Sequence, residues 1–176
     1  NTKEFTNSNP YTVHRIDKET TGILIVAKNR KWAQFFTSLF RIRKIHKTYL
    51  CVIFGSLEKK KGTFVDELHS FEGDKKIKNR AITHYSVIDS NNNFTLLKLN
   101  PETGRKHQIR KQLFMRGLPI LGDSKYSVGK INNKKNTFML HAYKINFSIN
   151  NVKYKYIAEP PMEFKKFLKK KYLRIF

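Results

Sequence analysis

Asn100-Pro101-Glu102-Thr103-Gly104-Arg105-Lys106-His107-Gln108-Ile109-Arg110 is the stretch on which the fold turns. It carries the chain out of one element and into another. Upstream, Phe94 to Leu99 is a short apolar run that reads as a strand. Downstream, Ile109 and Leu113 stand four apart, which predicts a helix from about Lys106 to Met115, closed by Gly117. Helix starts and flexible glycine backbone both suit anions, so the polar residues crowded here are a candidate phosphate contact. His107 and Arg110, three apart, would share one helix face. A solvated basic helix is the plainer reading of the same residues. Burial of Ile109 weighs against it, because it places Arg110 at the boundary of the core.

Working outward, Ala81 to Ile88 alternates as a strand, and Asn91 to Asn93 turn it into the Phe94 strand. Phe64 to Leu68 reads as a short strand inside a polar, lysine-rich stretch. Thr48 to Phe54 is a buried strand ended by Gly55. Trp32, Phe35, Phe36, Leu39 and Phe40 recur at helical spacing over about Lys31 to Arg41. Ile23 to Val26 is the first clear strand. On the other side, Pro119 to Tyr126 reads as an ordered turn. Phe138 to Ile149 and Val152 to Ile157 form a hairpin around Asn150 and Asn151. After Pro160 and Pro161, the residues Met162, Phe164, Phe167, Leu168 and Leu173 predict a terminal helix, with its lysines towards water. Strands outnumber helices and several pair locally, so the expected class is α+β with a largely antiparallel sheet.

The 176 residues suit one domain, and 39% hydrophobic with 13% aromatic content excludes a disordered basic tail. Cys51 is the only cysteine, so a disulfide framework and a four-cysteine zinc site are excluded. The six histidines (His14, His46, His69, His84, His107, His141) are scattered, with no metal-ligand spacing. The longest apolar run, Tyr49 to Gly55, is far short of a membrane span. Asn1 to Asn9 is polar and predicts no signal peptide. We expect a soluble, cytoplasmic monomer without metal or cofactor.

Lys and Arg number 36 against 13 Asp and Glu, a formal net charge of +23. Such a chain is attracted to polyanions, of which nucleic acid is the commonest inside cells. Lysines outnumber arginines 27 to 9, and this mixture is also what a biased base composition would produce. The clusters at Lys59 to Lys61, Lys75 to Lys78, Lys134 to Lys135 and Lys165 to Lys171 read as solvated faces that together supply a sequence-blind, salt-sensitive attraction.

Two further segments set polar groups among apolar ones. His14-Arg15-Ile16-Asp17-Lys18-Glu19-Thr20-Thr21-Gly22 precedes a strand and offers Asp17 to a cleft, or as a turn cap. It is not a kinase catalytic loop, because Ile16 interrupts His-Arg-Asp and no glycine-rich loop precedes it. Lys47-Thr48-Tyr49 enters a strand, where a tyrosine normally packs with its hydroxyl at the rim.

Taken together, these segments resemble the RluA-type RNA pseudouridine synthases, of the ribosomal large-subunit branch. His14 to Gly22 resembles that family's His-Arg-Leu-Asp-x-x-Thr-Ser-Gly signature. Lys47-Thr48-Tyr49 with Gly55 is similar to its Lys-x-Tyr segment, and Thr103 to Arg110 to its Thr-Gly-Arg-Thr-His-Gln-Ile-Arg motif. Pro119-Ile120-Leu121-Gly122-Asp123 with Tyr126, and Leu140-His141-Ala142, match two more in the same order. The likeness runs from Tyr11 to about Phe164, with Ile16 replacing Leu, Thr21 replacing Ser and Lys106 replacing Thr.

The resemblance implies a pseudouridine synthase catalytic fold with a central cleft and the isomerisation of uridine to pseudouridine in large-subunit ribosomal RNA. It implies that Asp17 is the catalytic carboxylate, Arg110 its ion-pair partner, and Tyr49 the ring that stacks on the base and joins in proton transfer. Arg15 would enter the RNA stack in place of the flipped base, and Ile109 would line the base pocket. His14, Thr21, Arg105, His107 and Gln108 complete the implied RNA-binding set. The chain is expected to be a single catalytic domain without its N-terminal strands and without an accessory RNA-binding domain. A transfer-RNA target and a non-catalytic basic RNA-binding protein are the alternatives. The second has no need of Asp17, Arg110 and Tyr49 as a set. A carboxylate glycosidase would lack a convincing second acid near the first motif.

Overall fold

The computed structural model describes residues 9–127 and 137–175. Lys134 and Lys135, and nearly all of the polar opening segment, lie outside the described residues. The described elements are β1 (Tyr11–Thr12), β2 (Thr21–Gly22), β3 (Val26–Ala27), α1 (Arg30–Arg41), β4 (His46–Phe54), β5 (Lys61–Glu72), β6 (Lys75–Ser90), β7 (Phe94–Pro101), α2 (Gln108–Phe114), β8 (Leu140–Ile149), β9 (Val152–Ile157) and α3 (Met162–Lys170).

Seven strands form one sheet in the order β2-β8-β4-β7-β6-β5, with β9 also paired to β8. All pairings in it are antiparallel except β2 with β8. The α+β reading therefore holds. β4 lies at its centre because Leu50, Cys51, Val52 and Ile53 are apolar on both faces, and all four are fully buried. One core surrounds them, drawing Ile109 and Leu113 from α2 and Phe164 and Leu168 from α3. A second, smaller core joins Ile45, Ile145 and Phe147 to Phe36, Leu39 and Phe40 of α1. Asn29 caps α1 by accepting the Trp32 N–H at 3.0 Å.

Three expectations need correction. The strand expected at Ile23 to Val26 is largely absent: β2 ends at Gly22, β3 begins at Val26, and Ile23 to Ile25 link the two. Its amides bond elsewhere: the Ile23 N–H donates to Ala142 O, and the Ile25 N–H to the His14 ring. The short strand at Phe64 to Leu68 is one part of a long β5–β6 hairpin that turns at Gly73, where φ is +58°. Polar cross-strand pairs sustain it, such as Thr63 with His84 and Asn79 with Ser70, together with Glu67 near Lys78. Apolar alternation does not mark such a hairpin. Finally, α2 starts at Gln108 rather than Lys106, because His107 is left-handed with φ +54°.

Gly22 has φ +106°, and a Cβ there would stand 2.2 Å from the Ala142 carbonyl oxygen. Only glycine lets β2 lie this close to β8, and that junction follows directly on the Asp17 loop. Gly22→Ala is expected to cost about 3 kcal/mol. In a domain of this size that lowers Tm by about 6–12 °C. A thermal unfolding curve unchanged from the parent would show that the junction bears no such constraint.

Candidate active site

Arg110 is the geometric centre of the site. Ile109 and Leu113 press one face of α2 into the core, which carries the neighbouring Arg110 inside until it is only 3% exposed. A buried guanidinium needs partners. Asp123, fully buried, supplies two: Arg110 Nε donates to Oδ2 and Nη2 to Oδ1, each at 2.8 Å. The Asp123 carboxylate also accepts the backbone N–H groups of Lys125 and Tyr126 at 2.9 Å. The rings of Tyr126 and Phe138 flank the guanidinium, their centroids 5.2 and 5.0 Å away. Burial acts to lower the Arg110 pKa, but the hydrogen bonds and charge of Asp123, then of Asp17, raise it above its ordinary value.

One nitrogen of the fork remains. Arg110 Nη1 donates to Asp17 Oδ2 at 3.3 Å and lies 3.7 Å from Glu19 Oε2. Asp17 reaches it from a turn closed by the Thr20 N–H on the Asp17 carbonyl. His107 Nε2 stands 3.7 Å from the other Asp17 oxygen, while His107 Nδ1 is 3.0 Å from the Tyr126 hydroxyl. Burial lowers the His107 pKa, although the charge of Asp17 opposes this. Tyr49 is pushed up to about 12, chiefly by burial and then by the charge of Asp17, so its phenol stays protonated at neutral pH.

These groups open onto a cleft of about 530 Å³, a size that admits a nucleoside. Asp17, Tyr49, Arg110, Arg15, His14, Arg105, His107, Gln108 and Ile109 all line it. Thr21 does not. Its hydroxyl bonds to His141 Nδ1 at 2.8 Å within the sheet, and the preceding Thr20 lines the cleft instead. Gln108 is spent inside the protein: its Nε2 donates to Ile82 O and Thr83 Oγ1, and its Oε1 accepts from Thr103 and the Arg105 N–H. It thereby shapes the Thr103–Arg105 loop. His14 accepts the Ile25 N–H through Nε2 at 2.8 Å and lies against Phe40.

Asp123, Tyr126 and Lys47 also belong to the site, beyond the residues that the sequence motifs imply. Asp123 had a usable signal. An acid placed directly after an apolar run, in a chain so short of acids, calls for a buried cation.

A family model described as RNA pseudouridylate synthase matches residues 1–114. The chain is 35% identical over 171 residues to ribosomal large subunit pseudouridine synthase D of Borreliella burgdorferi, covering 90% of this chain and 51% of that protein. It is 38% identical over 146 residues to an uncharacterized RNA pseudouridine synthase of Haemophilus influenzae, covering 80% and 64%. Ribosomal large subunit pseudouridine synthase C of Rickettsia bellii is 35% identical over 148 residues, covering 77% and 48%. The chain thus spans about half the length of the two ribosomal synthases. Among solved structures, human RNA pseudouridylate synthase domain containing 4 superposes with a TM-score of 0.80 at 24% identity, covering 92% of this chain and 76% of that one. That likeness concerns the fold, which is the pseudouridine synthase catalytic fold. No helix among the described residues is long and apolar enough to cross a membrane.

His14 provides a test of the cleft wall. Its pKa is lowered from 6.5 to about 4, mainly by burial and then by the charge of Lys47. Between those values the unfolded chain binds a proton that the folded one refuses, so stability rises with pH there. The His14 contribution is complete above pH 6.5 and is lost as pH falls through 4. His14→Gln removes the titration, so its Tm is expected to fall less steeply than the parent's over that range. Equal slopes would assign the titration to another group.

Proposed function

This chain belongs to the RNA pseudouridylate synthase family, and from that premise we propose that it isomerises uridine to pseudouridine within RNA, with large-subunit ribosomal RNA as the substrate. Two relatives named as ribosomal large subunit pseudouridine synthases support the choice of RNA. One observation carries the reading. Asp17 stands in the cleft beside Tyr49, held by a guanidinium that Asp123 has already fixed from behind. A protein that only binds RNA has no use for an acid so positioned.

The rearrangement breaks the bond between N1 of the base and C1′ of the sugar and forms one from C5 to C1′. C5 loses a proton and N1 gains one, so no redox partner or external group is consumed. Asp17 supplies the carboxylate, and Arg110 keeps it directed into the cleft. Tyr49, with a neutral phenol, offers its ring face to the uracil and its O–H as a donor. Any proton role for Tyr49 therefore starts from the neutral form. Ile109 closes the apolar side of the pocket. The reacting bonds are inaccessible in a stacked helix, so the uridine is flipped out, at a cost of a few kcal/mol. Arg15 is exposed on the cleft rim, and its long, planar cation suits the vacated place in the stack.

Asp17→Asn is expected to abolish turnover, by at least about 1,000-fold, while RNA affinity stays within a few-fold of the parent. Pseudouridine formed at the parental rate would overturn the catalytic assignment. Arg15→Ala is expected to slow reaction on a helical target roughly tenfold more than on an unpaired one, since flipping is what it assists. Equal losses on the two RNAs would remove Arg15 from that role.

A further inference from the structure

We propose that Lys47 forms an anion subsite in the cleft that takes a phosphodiester oxygen of the RNA strand beside the target uridine. This rests on the reading that the cleft works on RNA. The two residues that open β4 point to opposite sides, as alternation along a strand requires: Lys47 lines the cleft, whereas His46 lines a groove on the other side. The backbone of Lys47 is held by its pairing with Ile145 of β8 and by its carbonyl, which accepts from Asn100 Nδ2 at 3.1 Å. The ammonium thus stands on a rigid strand, two residues before Tyr49.

What sets Lys47 apart is the lack of a counter-charge. Arg110 is neutralised by Asp123 and Asp17, and Arg43 donates to Glu102 at 2.8 Å. Arg15, Arg41 and Lys106 also border the cleft but are exposed, and water solvates them. Lys47 is half-buried, and among the described residues its Nζ has neither an ion pair nor a hydrogen bond. Burial accordingly lowers its pKa from the usual lysine value. Its charged neighbourhood gives no relief, because the nearby His14 is itself discharged, in part by Lys47. A cation withdrawn from water without a partner is a standing cost, and an incoming anion removes it.

The loop above Lys47 leaves room for that anion. A Cβ on Gly104 would stand 3.6 Å from Nζ, so the absence of a side chain there keeps the ammonium accessible. An ammonium is a compact point charge with three donors, a good match for a phosphate oxygen. RNA presents one such group at every nucleotide. A uracil carbonyl is the competing partner, and the experiment separates the two.

The experiment measures RNA binding and kcat/KM over a range of salt, using the parent, Lys47→Met and Lys47→Arg, with oligonucleotides carrying one methylphosphonate at successive positions around the target. Lys47→Met is expected to weaken binding roughly tenfold. It should also reduce the slope of log affinity against log salt by about 0.7–1. Lys47→Arg should restore most of both. At one position the methylphosphonate should weaken the parent as much as the mutation does, and should add nothing in Lys47→Met. Gly104→Ala, whose new methyl makes only an ordinary contact, is expected to give part of the same loss. It serves in place of Lys47→Met should that variant fail to fold. The subsite would be wrong if the salt slope were unchanged, or if every methylphosphonate weakened Lys47→Met as much as it weakens the parent. A parent chain that neither binds RNA nor forms pseudouridine would instead sink the functional reading itself.

Discussion

The site depends on the buried pairing of Arg110 with Asp123. Three distant parts of the chain meet at this guanidinium. Arg110 comes from α2, which the core holds through Ile109 and Leu113. Asp123 follows a segment sewn to the central strand, where Leu121 N–H donates to Val52 O and Ile120 bridges to Ile53. Asp17 comes from the loop between β1 and β2. Asp123 occupies two nitrogens of the fork and so fixes its plane, leaving the third to orient Asp17. Breaking such a pair by removing one partner typically costs about 3–5 kcal/mol, because the other charge is left buried alone. The position of Asp17 is therefore tied to the stability of the whole domain rather than to its own loop.

Acids are scarce in this chain, and several work as internal clamps. Asp66 receives Arg116 through both carboxylate oxygens and Gln112 Nε2 besides, which ties α2 to β5. Gln112, fully buried, also accepts from Thr83 and donates to Ala81 O, closing a polar network across the sheet. Asp89 accepts the Arg174 N–H and secures the end of the chain. With acids drawn into such clamps, few are left to face the 27 lysines, and the net charge of +23 acts outward. Exposed pairs such as Arg43 with Glu102 contribute little, at most about 1 kcal/mol.

What was legible in the sequence depended on which force builds each element. β4, β8 and α3 are made by apolar burial, and apolar periodicity reveals them; α1, whose apolar side is only half-buried, and the largely exposed β9 show the same kind of pattern. Asn150 and Asn151, with φ +48° and +64°, accept the left-handed turn that their residue type predicts. The β5–β6 hairpin is held by its ladder and by polar pairs, so its lysine-rich sequence reads as loop. The course of Ile23 to Ile25 between β2 and β3 depends on His14 and Ala142, which no local window contains. In the site, the motif order located Asp17, Tyr49 and Arg110, and the structure brings all three to one cleft. The substitution of Thr20 for Thr21 on its wall is a one-residue shift set by the parallel pairing of β2 with β8. The isolation of Lys47 was hidden for a related reason: a missing partner is a property of space, and composition counts only the charges.

The arrangement of charge around the cleft also explains why so basic a chain suits this site. Two acids, Asp17 on the cleft and Asp123 buried behind it, share one guanidinium, so the cluster carries more negative than positive groups at the point where the proposed RNA substrate would approach. A polyanion would be repelled from such a floor if it were the whole surface. Arg15, Arg41, Arg105, Lys106 and Lys47 border the same cleft and outnumber the acids. At physiological salt, charges separated by more than about 8 Å are largely screened, so cations elsewhere on the surface cannot offset that repulsion locally. They must stand on the rim itself. On the proposed function, the rim cations would be the groups that admit the strand to the carboxylate, with the distant lysines serving only the first encounter.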